Sequence, residues 1–144
     1  MPIHLEIVTA ERTVLTDDVD QINAPGAAGR MGILPHHAPV LTSLVPGELT
    51  IIKGGERIPF AVSGGFMEVL PDRVTILADT AERGDEIDEA RAEAARRRAE
   101  DLLRERRSEQ EMMLAEAQLR RAMIRIRVAR LRRGGRGGFS PGED

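Results

Sequence analysis

The sequence predicts two unlike units, an all-β unit followed by a helical one, and three observations carry that reading. Glycine and proline punctuate the chain as far as residue 84 and are then absent from Asp85 to Arg133. Charge changes at the same place: residues 1–83 carry 6 basic and 11 acidic groups, and residues 84–144 carry 15 basic and 13 acidic. Short segments rich in Val, Ile and Thr fill the first part, whereas apolar residues at three-four spacing run through the second.

Segments 3–8, 19–24, 49–52, 58–62, 66–70 and 74–78 read as strands between turn signals. Gly54-Gly55 joins two of them as a hairpin, because glycine supplies positive φ at little cost. Leu70-Pro71-Asp72-Arg73-Val74 reads as a second turn, with proline setting φ. Strands this short and evenly spaced point to a sandwich or a barrel.

The boundary falls near Arg83-Gly84-Asp85, giving units 1–84 and 85–133. Asp85 is placed to cap a first helix, with Asp88 favourable to its dipole. Ala92, Ala95, Ala99, Leu102 and Leu103 form one stripe. Ser108-Glu109-Gln110-Glu111 matches a capping box and starts a second helix over 109–133, striped by Met112, Ala115, Leu119, Ala122, Ile126 and Ala129. Two antiparallel helices joined near Arg107-Ser108 make a hairpin. One long helix is the alternative, since no glycine or proline forbids it. The Gly-rich segment 134–144 reads as a flexible tail.

Composition removes several classes of chemistry. The chain has 144 residues and no cysteine, so disulfides and thiolate chemistry are excluded. Its aromatics are Phe60, Phe66 and Phe139 alone, too few for a base-stacking platform, and no nucleic-acid partner is expected. No apolar run is long enough to span a bilayer, and the N-terminus lacks a signal-peptide pattern. His36-His37 lacks further ligands nearby and reads as loop, so no metal is expected. Neither Gly-x-Ser-x-Gly, His-Glu-x-x-His nor a phosphate-binding loop occurs, so no active site is expected.

Three stretches together resemble one family. They are Gly29-Arg30-Met31-Gly32-Ile33-Leu34-Pro35-His36-His37-Ala38-Pro39, Ala61-Val62-Ser63-Gly64-Gly65-Phe66-Met67-Glu68-Val69 and Val74-Thr75-Ile76-Leu77-Ala78-Asp79-Thr80-Ala81-Glu82. Residues 1 to about 133 are similar to epsilon subunits of bacterial rotary F-type ATP synthases, whose fold the mitochondrial delta counterpart shares. The resemblance implies a sandwich of about ten strands followed by a two-helix hairpin. It also implies a non-catalytic place in the central stalk, peripheral to the cytoplasmic face of the bacterial plasma membrane. There the sandwich would contact the gamma subunit and the ring of c subunits, coupling them in a proton- or sodium-translocating machine. An extended hairpin would meet an acidic surface on the catalytic beta subunit and regulate ATP hydrolysis.

Ile87-Asp88-Glu89-Ala90-Arg91-Ala92 further resembles the Ile/Leu-Asp-x-x-Arg-Ala motif of the epsilon subunits that bind ATP. Glu82, Ile87, Asp88, Arg91, Ala92, Arg98, Arg121 and Arg125 match positions that hold nucleotide in those members. The physics agrees: folding a hairpin gathers four guanidiniums that repel unless an anion intervenes, and a triphosphate accepts bidentate bonds from them. ATP is then a regulatory ligand that needs no Mg²⁺. The competing reading makes these arginines solvated face residues paired with Glu89, Glu93 and Glu100. A further alternative is a subunit that binds ATP with little or no inhibitory role.

Overall fold

The computed structural model describes residues 2–105 and 107–136, with side chains as far as 131. The chain divides into two compact units, Met1–Arg83 and Gly84–Asp144. The first holds eight strands: β1 Ile3–Val8, β2 Thr13–Val19, β3 Gln21–Gly26, β4 Gly29–Ile33, β5 Val40–Lys53, β6 Glu56–Val69, β7 Arg73–Ala78 and β8 Ala81–Arg83. The second holds a single 3₁₀ turn, Gly84–Glu86, then α1 Glu89–Arg104 and α2 Glu109–Arg136.

The strands run in the order β2-β1-β7-β6-β5-β3-β4, with β8 also pairing β6. The two central strands, β5 and β6, are 14 residues each and belong to both layers. The C-terminal half of β6 pairs β7 through Gly65–Ala78 to Val69–Val74, while its N-terminal half pairs β8 through Phe60–Arg83 to Val62–Ala81. The β5–β6 ladder keeps one register but is interrupted at Val45 and Gly64, between the pairs Leu44–Gly65 and Pro46–Ser63, which marks the bend. Each layer therefore has five strand segments, and eight continuous strands supply the roughly ten that were expected. Splitting β6 at Ser63-Gly64-Gly65, as the turn signals suggested, was an error of connectivity: those glycines turn a strand without ending it.

Backbone geometry explains the glycines. Gly64 and Gly65 have φ of 116° and 135°, where side chains are strained. At Gly65 a Cβ would lie 2.8 Å from the Ala78 Cα and collide with the Leu77 carbonyl oxygen. The corner is pinned by the passing chain. Ser63 N–H donates to the Thr80 carbonyl at 3.1 Å, Asp79 N–H to the Gly64 carbonyl at 3.0 Å, and the Thr80 hydroxyl to Ser63 Oγ at 2.6 Å.

Alternation does the rest. β1 buries Ile3, Leu5 and Ile7; β7 buries Val74, Ile76 and Ala78. These meet Ile22, Ile33, Leu49, Ile51, Phe60 and Val62 in one core built wholly from residues of the first unit. The expected segment 19–24 is really the end of β2 and most of β3, parted at Asp20. Strands β2 and β4 escape the pattern because Asp17-Asp18 and two glycines blur their alternation. Asp17 is bound by Lys53 Nζ at 2.7 Å, which with the Asp18 backbone N–H holds its carboxyl below the usual range. Asp20 accepts from the Gly54 N–H at 2.8 Å.

The expectation that Asp85 caps the first helix is corrected. Asp85 lies inside the 3₁₀ turn, and Asp88 is the N-cap, with φ −83° and ψ 102° and its Oδ1 accepting from Arg91 N–H at 3.1 Å. The second helix begins as the capping box foretold: Ser108 Oγ accepts from Glu111 N–H at 3.3 Å and its hydroxyl donates to Glu111 Oε1 at 2.9 Å. The helix runs through Arg136, so any tail starts later than Gly134; 137–144 lie outside the described residues. Ala92 and Ala99 of α1 and Ala115, Ala122, Ile126, Val128 and Ala129 of α2 are buried.

Gly65→Ala should lower unfolding free energy by about 3 kcal/mol or more, from backbone strain plus overlap. Gly54→Ala, where nothing lies within 4 Å and φ is 58°, should lose about 1 kcal/mol. Denaturant titration of the two variants should separate them clearly; equal midpoints would refute this account of the corner.

Candidate functional site

The candidate residues other than Glu82 lie along the hairpin unit. Ile87 and Asp88 lead into α1; Arg91, Ala92 and Arg98 lie on it; Arg121 and Arg125 lie near the middle of α2. The helices are antiparallel, because the Arg130 guanidinium near the end of α2 reaches the start of α1. Its Nε donates to Glu89 Oε2 at 3.0 Å and its Nη2 to Glu93 Oε1 at 3.1 Å. The chain is thus a folded hairpin and not one long helix. Glu82 stands apart on β8 in the first unit, half-buried and opposite Ala61 of β6.

Electrostatics separates the arginines into two sets. Arg96 binds Glu93 at 2.8 Å and Glu100 at 3.6 Å, Arg104 binds Asp101 at 2.7 Å, and Arg107 binds Glu105 at 2.8 Å. Arg91, Arg98 and Arg121, like Arg97 and Arg120, are exposed, and none of the five has a side-chain hydrogen bond or ion pair among the described residues. Arg125 is half-buried and engaged by a neighbour. Of the nearby glutamates, Glu93 and Glu100 bind Arg96, and Glu89 and Glu93 bind Arg130. Asp88 uses Oδ1 for the cap, and its Oδ2 has no partner among the described residues. Ala92 is fully buried and Ile87 half-buried. Guanidiniums without partners can hydrogen-bond an anion. Among the described residues no group of three or more acids or histidines is placed to hold a metal ion.

Sequence reasoning missed Arg130. The signal was the pair Glu89 and Glu93, four apart on one face of α1, but their partner 37 and 41 residues away is visible only once the helices are paired.

Two apolar surfaces remain. On the first unit Phe66 and Leu77 are cross-strand neighbours, 58% and 55% exposed, with Leu41 72% exposed on the adjoining strand. On α2 a shallow groove of about 530 Å³ is lined by Leu119, Met123 and Ile124 between Glu116, Arg120 and Arg127. No helix among the described residues is long and apolar enough to cross a membrane.

Comparison with known proteins covers both units. Residues 2–84 match the family described as ATP synthase, Delta/Epsilon chain, beta-sandwich domain, and residues 85–130 its long alpha-helix domain. An ATP synthase epsilon chain of Chloroflexus aggregans is 70% identical over 131 residues, covering 91% of this chain and 94% of that one. One from Herpetosiphon aurantiacus is 62% identical over 133 residues, covering 92% and 98%. Among solved structures, a chain of the Euglena gracilis mitochondrial ATP synthase, resolved with its OSCP, F1 and c-ring, superposes with TM-score 0.74 and 26% identity over 83% of this chain and 76% of that one.

The Glu111 carboxyl is held below the usual range, first by the Ser108 hydroxyl and then by Arg107. A depressed folded pKa gives a contribution complete above the unfolded value near about pH 4.3 and lost as pH falls through the folded one. Ser108→Ala should move the acid loss of helical circular dichroism to higher pH and weaken α2 by about 1 kcal/mol at neutral pH. An unchanged acid titration would remove the capping box from the account.

Proposed function

The chain belongs to the ATP synthase delta/epsilon family, and from that premise we propose that it is a central-stalk subunit whose helical hairpin reports ATP. The epsilon chain is itself non-catalytic. In this reading the first unit couples the gamma subunit to the c ring of a proton- or sodium-translocating F-type synthase. The exposed Phe66–Leu77 pair supports such docking, because a row of large apolar side chains on a sheet face gains by being covered. The complex would hold the chain peripherally at the cytoplasmic face of the plasma membrane.

The observation that carries the nucleotide reading is the set of unpaired arginines. Arg91, Arg98 and Arg121 sit on a folded hairpin whose neighbouring glutamates are engaged elsewhere. A triphosphate relieves their repulsion without a metal ion. Asp88 would face the adenine amino edge, Arg91, Arg98, Arg121 and Arg125 the phosphates, and Ile87 the base; Glu82, on the first unit, and Ala92, fully buried, are matched by resemblance. Without nucleotide, α2 can detach. Its basic and apolar groove, with Arg120 and Arg127 beside Leu119 and Met123, then suits an acidic surface on the catalytic beta subunit.

The energetics favours bias over locking. A ligand at a hundredfold excess over Kd that binds only the folded form contributes about 2.7 kcal/mol. Full reversal of a two-state equilibrium from 1:99 to 99:1 takes about 5.5 kcal/mol.

Calorimetric titration of the isolated chain should show ATP binding without Mg²⁺ and ADP binding more weakly. Arg91→Ala and Arg121→Ala should each weaken ATP by about 1.5–3 kcal/mol, as expected for lost hydrogen bonds to a charged group. Equal affinity in the parent chain and Arg91→Ala would sink the site.

A further inference from the structure

We propose that Arg130, with Glu89 and Glu93, is an ionic clasp that holds the hairpin closed before any nucleotide arrives, and that Arg130 is thereby a positioning residue for the site. The consequence for ATP rests on the nucleotide reading; the clasp itself does not.

This contact depends on closure. Arg96–Glu93, Arg96–Glu100, Arg104–Asp101, Arg107–Glu105 and Arg107–Glu111 each join residues two to four apart. Such pairs survive whether the hairpin is open or closed, so they do not bear on the balance. Arg130 spans 41 and 37 residues to Glu89 and Glu93. Those two bonds exist only in the closed form.

Three features make the clasp stronger than an ordinary surface pair. One guanidinium meets two carboxylates through separate nitrogens, at 3.0 and 3.1 Å. Its partners are only 26% and 21% exposed, so water screens them less than a fully exposed pair, while Arg130 itself is 57% exposed and within reach of salt. Glu93 is already oriented, because its other oxygen accepts from Arg96 Nε at 3.1 Å and Nη2 at 2.8 Å. Less side-chain entropy is then lost on closing.

The apolar seam leaves room for such a term to decide. Its buried residues are mainly alanines, Ala92 and Ala99 against Ala115, Ala122 and Ala129. Alanine removes little apolar area from water, so closure gains only modestly from burial. Ionic bonds worth a few-fold each then set the closed fraction. Arg130 also fixes how α2 lies along α1. It therefore sets where Arg121 and Arg125 stand relative to Asp88 and Arg91, without touching the ligand.

The test uses the full chain, which lacks cysteine, so Arg97→Cys with Gln118→Cys gives one spin-labelled pair on exposed positions of the two helices. Distance distributions without nucleotide should show a closed population that falls about threefold to tenfold, relative to the open one, with Arg130→Gln. High salt should do the same to the parent chain and less to Arg130→Gln. Exchanging the charges, Arg130→Glu with Glu89→Arg and Glu93→Arg, should restore closure. A merely structural side chain would not be rescued in that way. Calorimetry on the same variants should show the ATP Kd weakening in step with the loss of closed fraction. A closed fraction indifferent to both Arg130→Gln and salt would overturn the clasp. A clasp that responds as described in a chain that never binds ATP would support the clasp and refute the nucleotide reading alone.

Discussion

Gly65 has no side chain where β6 passes the Leu77 carbonyl, and much else follows from that close approach. A strand able to turn there takes part in both layers, so β7 and β8 can pair its two halves. The layers close on each other around Leu5, Ile7, Ile22, Ile51, Phe60 and Ile76. This core draws on no residue beyond Ala81. The first unit is consequently stable by its own packing, and the second is released from any duty to complete it.

That release shows in how the hairpin is built. The first unit buries Phe, Met, Ile and Leu; the hairpin buries mostly alanine. Closure gives up conformational freedom for a small apolar gain. The balance then passes to polar terms: the Asp88 cap, the Ser108–Glu111 box and the reach of Arg130 to Glu89 and Glu93. Arginines without partners add a term that only an anion can make favourable. A hairpin so balanced is suited to answer a ligand, whereas one with a leucine seam would stay shut.

The sequence made the division legible because its causes are local. Glycine and proline stop abruptly, charge changes sign, and Ser108 with Glu111 announces a helix start. The β1 and β7 strands were plain from alternation. The strands that were missed have polar or glycine-rich patterns, as in Thr13–Val19 and Gly29–Ile33. The continuity of β6 through two glycines was hidden because the same residues that end strands also bend them. The cap moved from Asp85 to Asp88 because Gly84–Glu86 forms its own turn, which acidic composition alone does not reveal. For the site, spacing named the arginines but not their neighbours. Whether Glu89 and Glu93 would neutralise Arg91 or bind Arg130 depends on helix pairing, and no pattern along one helix contains it.

The central claim is that the chain holds one firmly packed unit and one finely balanced unit that ATP can firm up. Amide hydrogen exchange across the full chain reads this directly, since it reports opening free energy by region. The account predicts slow exchange, insensitive to ATP, in β1, β6 and β7. It predicts much faster exchange in α2 around Ala122 to Ala129, slowing markedly when ATP is added. Exchange in α2 as slow as in β6, and unchanged by saturating ATP, would contradict it.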